Sequence, residues 1–288
     1  MSKKYPHGKG PVKWVDDYWL AEHLDDKIMI LDTQPNVHDY IQEHIPGARY
    51  MNQGLLRVPM DGLPAQYVQP EIIQMLFRRL GLKKDIPVVV YTGKGPFKGW
   101  GDGLEQTMVS YTLVRFGHDN VYVLDGGIDK WKDKGKPLEQ TYPDVSESDF
   151  GVEVRSDYFI GFDEFKELKD KDNVIVLDAR PADVYEGQGP WRKPGHIPGA
   201  VNLPWKSLME DINPTLLKSD SDIRSILDKH GVSQDKQVVC SCGTGREATN
   251  EFNLLNFYLS FPKVKIYEGS FTEWVARDQE TVTGKNPR

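Results

Sequence analysis

The chain has little cysteine, two residues in 288, and both fall together as Cys240 and Cys242. A disulfide framework is thereby excluded, and so are the small secreted scaffolds that depend on one. Also missing is any apolar run of membrane-spanning length, and the opening MSKKYPHGKGP lacks the apolar stretch of a secretory signal. A soluble cytoplasmic protein is expected, or a periplasmic one if an export signal has been removed. There is no excess of positive charge either. The 36 basic and 43 acidic side chains leave a formal charge of −7, so no general attraction to nucleic acid or to a membrane is expected.

What the chain does have is length and repetition. At 288 residues, 39% of them hydrophobic, it can bury two cores of ordinary size. IMILDTQPNVHDYIQEHIPGARYMN from Ile28 resembles VIVLDARPADVYEGQGPWRKPGHIPGAVNLP from Val174. Their Leu-Asp pairs are offset by 146 residues (Asp32 to Asp178) and their His-Ile-Pro-Gly-Ala runs by 152 (His44 to His196). The second copy therefore carries a six-residue insertion near GQGPWRK, which belongs in a loop. Further on, VVVYT at Val88–Thr92 matches VVCSC at Val238–Cys242, and VYVLDGGIDKW ending at Trp131 matches VKIYEGSFTEW ending at Trp274. A period this long signals a duplicated domain rather than a solenoid.

Within each copy, short Val/Ile/Leu runs without polar alternation read as buried parallel strands, with helical spacing between them. The fold class is α/β, each domain a mostly parallel sheet flanked by helices. VDDYWLAEHL and FDEFKELKD read as helices ahead of the first strand of each copy. The domains are expected at 11–138 and 158–288, joined by a polar linker at 139–157, with residues 1–10 as a mobile tail. His44 and His196 read as turn or packing residues, and Trp131 and Trp274 as core anchors of a late helix.

The strongest chemical signal is QVVCSCGTGREATNEFNLLNFYL, Gln237–Leu259: a buried strand, a loop of small residues, then an amphipathic helix. A thiol at the carboxyl end of a parallel strand sits where α/β folds place their sites, and loop amides favour its thiolate. Gly243 and Gly245 permit the tight curl, while Thr244 adds a hydroxyl and Arg246 a fixed positive charge. A Cys-x-Cys pair alone is too sparse for a zinc or iron–sulfur site, and no cofactor is expected.

The duplicated layout, Leu-Asp followed by Gly-His-Ile-Pro-Gly-Ala, the strand ending in Cys-Gly-Thr-Gly, and the late Tyr-Glu-Gly-Ser-Phe-Thr-Glu-Trp together resemble the tandem-domain rhodaneses. These are the thiosulfate and 3-mercaptopyruvate sulfurtransferases, and the resemblance runs from about Val15 to Trp274. It implies two tandem rhodanese-like domains and Cys242 as the nucleophile. The matching residue of the first copy is Thr92, which implies a catalytically silent N-terminal half. A small anionic donor would pass its outer sulfur to Cys242, and the persulfide would pass it to cyanide, a small thiol or a protein thiol.

The chain departs from the family pattern in two places. Arg246 and Glu247 stand where Val-Thr is typical, and Val184 stands where a later anion-binding arginine is common. Arg246, together with Arg192 of the inserted segment, is expected to replace that charge, with Arg180 as a further substrate-binding candidate or a structural ion-pair partner. Counting from Cys240 instead gives Cys-x5-Arg, the spacing of cysteine-dependent phosphatases. Against this, the repeat aligns Thr92 with Cys242 and leaves Cys240 inside the strand opposite Val90. A non-turnover sulfur carrier would use the same residues as the enzyme. In the first copy, the glycine-rich run Gly93–Gly103 reads as a loop that has lost its nucleophile, with Lys98 and Trp100 in reach of a substrate.

Overall fold

The computed structural model describes residues 3–97, 99 and 101–287. Lys98 and Trp100 lie outside the described residues.

In the first copy the elements are β1 (Val12–Val15), α1 (Asp17–Glu22), β2 (Met29–Asp32), α2 (Val37–Gln42) and β3 (Arg49–Tyr50), then the hairpin of β4 (Arg57–Met60) and β5 (Leu63–Tyr67). After it come α3 (Pro70–Arg79), β6 (Val88–Tyr91), α4 (Glu105–Arg115), β7 (Val121–Leu124) and α5 (Gly127–Asp133). The second copy repeats the series with β8 (Phe159–Ile160), α6 (Phe162–Leu168), β9 (Val174–Asp178), β10 (Val201–Asn202) and the hairpin of β11 (Met209–Glu210) and β12 (Asn213–Leu217). It closes with α7 (Asp220–Lys229), β13 (Gln237–Ser241), α8 (Ala248–Phe252), β14 (Val264–Tyr267) and α9 (Ser270–Ala276).

Each copy forms a five-stranded sheet, ordered β1-β7-β6-β2-β3 in one and, from its other edge, β8-β14-β13-β9-β10 in the second. The strands pair in parallel throughout. Such pairing requires helical crossovers that cover the faces, and for that reason β2 and β6 are buried at every position. The register confirms the repeat: Tyr91 lies opposite Asp32 in one sheet and Ser241 opposite Asp178 in the other. Thr92 and Cys242 follow these residues at equivalent strand ends.

By contacts the chain divides into two units. One comprises Met1–Val58, Tyr67–Arg155 and Glu210–Leu217, the other Pro59–Gln66, Ser156–Met209 and Lys218–Arg288. In the first, Trp131 is fully buried among Val15, Leu20, Ile30, Val89 and Leu124. In the second, Trp274 packs with Phe162, Phe165, Val239 and Tyr267. Each indole N–H ends on a backbone carbonyl, Pro137 at 2.8 Å and Glu280 at 2.7 Å, which removes the cost of burying it. His44 and His196 are fully buried, with both ring nitrogens against backbone carbonyls.

Two expectations are corrected. A strand, not a helix, opens each copy, because β1 and β8 are edge strands of four and two residues, too short to show a period. The expected N-terminal tail is anchored from Lys3 onward. His7 and Trp14 exchange backbone hydrogen bonds, Lys3 reaches Asp125 at 3.0 Å, and the Tyr5 hydroxyl also donates to Asp125. The polar stretch after Glu139 is irregular but packed, with Phe150 buried edge-on against Phe77.

Candidate active site

The site of the second unit is built where β13 ends. Ser241 is the last strand residue, Cys242 begins the loop, and α8 starts six residues later at Ala248. The loop curls back on the sulfur, and the Gly245 N–H points at Cys242 Sγ from 3.0 Å. Gly245 adopts φ +83°, and a Cβ there would lie 2.6 Å from the Glu268 carbonyl, so only glycine fits. The amides of Thr244 and Ala248 act on the sulfur in the direction of the thiolate.

The backbone of Cys242 is itself held in place. Its N–H donates to Ser270 Oγ at 3.1 Å, and its carbonyl accepts from the Phe271 N–H at 3.0 Å. Ser270 Oγ in turn donates to the Tyr267 carbonyl at 2.8 Å. Ser270 has φ +50°, a left-handed conformation costly for a residue with a Cβ. Its counterpart in the first copy is Gly127, at φ +57°. Comparing Gly-Gly with Gly-Ser between the copies was the signal that could have found it.

Gly243 is clamped by Trp191. A Cβ on Gly243 would lie 2.9 Å from the indole, whose Nε1 donates to Thr272 Oγ1 at 2.8 Å. Thr272 Oγ1 then donates to the Gly243 carbonyl at 2.7 Å. Trp191 is thus a residue by which the inserted segment meets the loop. The Arg192 guanidinium donates instead to the Val275 carbonyl at 3.0 Å and to Asp278 at 3.2 Å, and its side chain is 62% exposed. Arg246 lies within the loop, half-buried.

Arg180 lies behind the loop and is buried. Its Nε and Nη2 donate to Asp178 at 2.9 and 2.6 Å, and Nη2 also meets the Gly195 carbonyl at 3.0 Å. The guanidinium sits over Phe271 at 4.1 Å and Trp191 at 5.1 Å, while Nη1 has no hydrogen-bond partner. Of the two roles considered, the ion pair is the one this geometry displays.

The electrostatics differ from expectation. Cys242 is fully buried, and burial, with Glu247 next, pushes its thiol well above the ordinary range, although the Ala248 and Thr244 amides pull it down. Loop amides alone pointed to a thiolate, but they are opposed by desolvation and by an adjacent carboxylate. Glu247 Oε2 accepts the Gly243 N–H at 3.4 Å, beside the nucleophile position, and after burial this carboxylate is the next cause of the raised Cys242 thiol. One turn on, Glu251 is fully buried with neither oxygen hydrogen-bonded, and burial, Asp178 and Glu247 raise its pKa strongly. Cys240 is a fully buried strand residue opposite Leu177 and Ile266, held as a thiol by burial, Glu251 and Cys242. Neither it nor its surroundings form the phosphate-binding cradle that a phosphatase needs.

The equivalent position of the first unit is filled differently. The Thr92 hydroxyl donates to the Thr33 carbonyl at 3.1 Å and to Glu105 at 3.3 Å. Gln34 stands where Arg180 stands, and Tyr91, in the place of Ser241, donates to Asp32 at 2.5 Å. Even with these bonds, burial pushes the Asp32 carboxyl up to about 6. Among the described residues no helix is long and apolar enough to cross a membrane.

The sequence profile of the rhodanese-like domain matches residues 16–134 and 162–277. A Synechococcus elongatus protein classed with the thiosulfate sulfurtransferases is 36% identical over 282 residues, 95% of this chain and 86% of its own. The 3-mercaptopyruvate sulfurtransferase of Escherichia coli K12 is 30% identical over 276 residues, 90% of this chain and 93% of its own. The crystal structure of SseA, a 3-mercaptopyruvate sulfotransferase of Escherichia coli, superposes with a TM-score of 0.78 at 29% identity, covering 90% of this chain and 98% of that one.

Proposed function

The chain is a tandem-domain rhodanese sulfurtransferase, and from that premise we propose that it carries sulfane sulfur as a persulfide on Cys242. The observation that carries this reading is the Gly245 N–H aimed at Cys242 Sγ from 3.0 Å at the end of the central strand. The donor is thiosulfate or 3-mercaptopyruvate. Its anionic group meets Arg246 and the amides of Gly243, Thr244 and Gly245, while Arg180 braces the loop from behind and offers its unpartnered Nη1.

The reaction is a double displacement. The Cys242 sulfur attacks the outer sulfur of the donor, an S–S bond forms, and the bond to the donor breaks with its electron pair leaving on sulfite or on the enolate of pyruvate. The loop amides then hold the negative persulfide until cyanide, a small thiol or a protein thiol attacks its outer sulfur and the Cys242 sulfur departs. Positioning and fixed dipoles supply the catalysis, with no cofactor in the scheme. The first unit, with Thr92 in place of the nucleophile, takes no part in the covalent step. In the cytoplasm, acceptor thiols are kept reduced.

Incubation with each donor followed by intact mass measurement tests the reading. One added sulfur atom is expected on the parent protein and on Cys240→Ser, and none on Cys242→Ser. Sulfur retained by Cys242→Ser would overturn it.

A further inference from the structure

The mechanism so far leaves unused the carboxylate that borders the Cys242 loop. Glu247 is the last residue before α8, and its carboxylate lies back over the loop, where Oε2 accepts the N–H of Gly243, the residue next to Cys242, at 3.4 Å. It is half-buried, whereas Glu251 is sealed beneath the loop without partners. We propose that Glu247 is a catalytic proton carrier that commits the site to donors whose leaving group must be protonated, α-keto thiols such as 3-mercaptopyruvate, in preference to thiosulfate. The inference rests on the sulfur-transfer reading of Cys242.

The two donors differ in what they ask of a neighbouring carboxylate. Thiosulfate brings two negative charges on the group bonded to the sulfur under attack, and its leaving group, sulfite, departs as a stable dianion that needs no proton. A carboxylate beside the nucleophile repels that donor and gives its leaving group nothing. The mercaptopyruvate carboxylate is separated from the reacting sulfur by the keto and methylene carbons. When the sulfur is taken, the C–S bond breaks and its electron pair stays on carbon as an enolate, which becomes pyruvate only on protonation.

Glu247 closes this balance. It accepts the Cys242 S–H proton as the sulfur attacks, the S–S bond forms while the C–S bond breaks, and the same proton is delivered to the enolate carbon. Cys242-SH and HS-CH2-CO-COO⁻ thus become Cys242-S-SH and CH3-CO-COO⁻ with no added oxidant or reductant. The arrangement also explains why a nucleophile is kept protonated beside a carboxylate, since the proton is a reactant.

The test is single-turnover loading of sulfur onto the full chain from each donor, for the parent and for Glu247→Gln. Mercaptopyruvate loading is expected to fall about 100-fold, in the range of lost general acid–base catalysis, while thiosulfate loading rises. Glu247→Asp is expected to recover part of the mercaptopyruvate rate. The ratio of the two rates is read on one preparation, so any unfolded fraction cancels. A fall in that ratio smaller than about tenfold overturns the role of Glu247, because a structural defect slows both donors alike. If the parent takes up sulfur from neither donor, the Cys242 reading itself fails, and this is seen before Glu247 is altered.

Discussion

Asp178 and Arg180 are 1% exposed, two residues apart, and joined through two nitrogens of a single guanidinium. Removing one partner of such a pair leaves an uncompensated buried charge, whereas replacing both removes the problem. Arg180→Ala is therefore expected to cost about 3–5 kcal/mol in denaturant unfolding, and Asp178→Asn combined with Arg180→Met is expected to recover most of that loss. A full loss in the double variant would show that the pair is needed for packing against Trp191 and Phe271 rather than for charge. At this scale the sequence displayed Cys242 clearly as the candidate nucleophile, because a scarce residue type followed a strand and preceded a glycine loop. It left the ion pair and the anion-binding role of Arg180 undivided, since both put an arginine just after a strand. Neighbouring residues of the irregular inserted segment diverge in a way the sequence does not display: Trp191 turns to the loop while Arg192 reaches Asp278.

Elements hold the loop in place more than its own residues do. The first turn of α9 supplies Ser270 to the Cys242 amide and Thr272 to the Gly243 carbonyl. Ser270→Gly relieves the positive φ while deleting the hydroxyl, and these effects oppose each other, so stability should stay within about 1 kcal/mol. Sulfur loading should still fall by about tenfold or more, because the nucleophile loses its fixed position. Thermal unfolding and single-turnover loading measured side by side check the pair of outcomes. The strands that carry the site were legible because they are buried on both faces and read as unbroken Val/Ile/Leu runs. The edge strands β1 and β8 were not, being too short for any period. Nor could composition reveal that the strongly polar N-terminal residues are held by Asp125, a long-range contact with no local signature.

Across the whole molecule, the two units solve the same problem in different ways. The carboxylate ending β9 has an arginine, whereas its counterpart Asp32 has only Gln34 and Tyr91, and burial raises it from 3.8 to about 6. A carboxyl whose folded pKa is raised contributes stability that is fully present below its unfolded pKa and is lost as pH rises through the folded value. For Asp32 the loss falls between about pH 4 and pH 6 and approaches about 3 kcal/mol. Asp32→Asn abolishes it, so the variant should gain on the parent by that amount when denaturant unfolding at about pH 8 is compared with about pH 4. An unchanged difference would mean that Asp32 titrates alike in the folded and unfolded chain.

The bonded surroundings of Thr92 also bear on how far apart the two copies stand. Thr92 donates to the Thr33 carbonyl and Glu105, Tyr91 holds Asp32, and Gln34 completes that carboxylate's shell. These contacts tie the strand end and its neighbours into one bonded set. Restoring a cysteine at position 92 alone would put a thiol among groups now bonded to one another, with no arginine beneath it. Matching the second unit's arrangement would require changes at positions 34, 91 and 92 together. No single substitution therefore interconverts the two copies, because what separates them is a set of coupled contacts and not one residue.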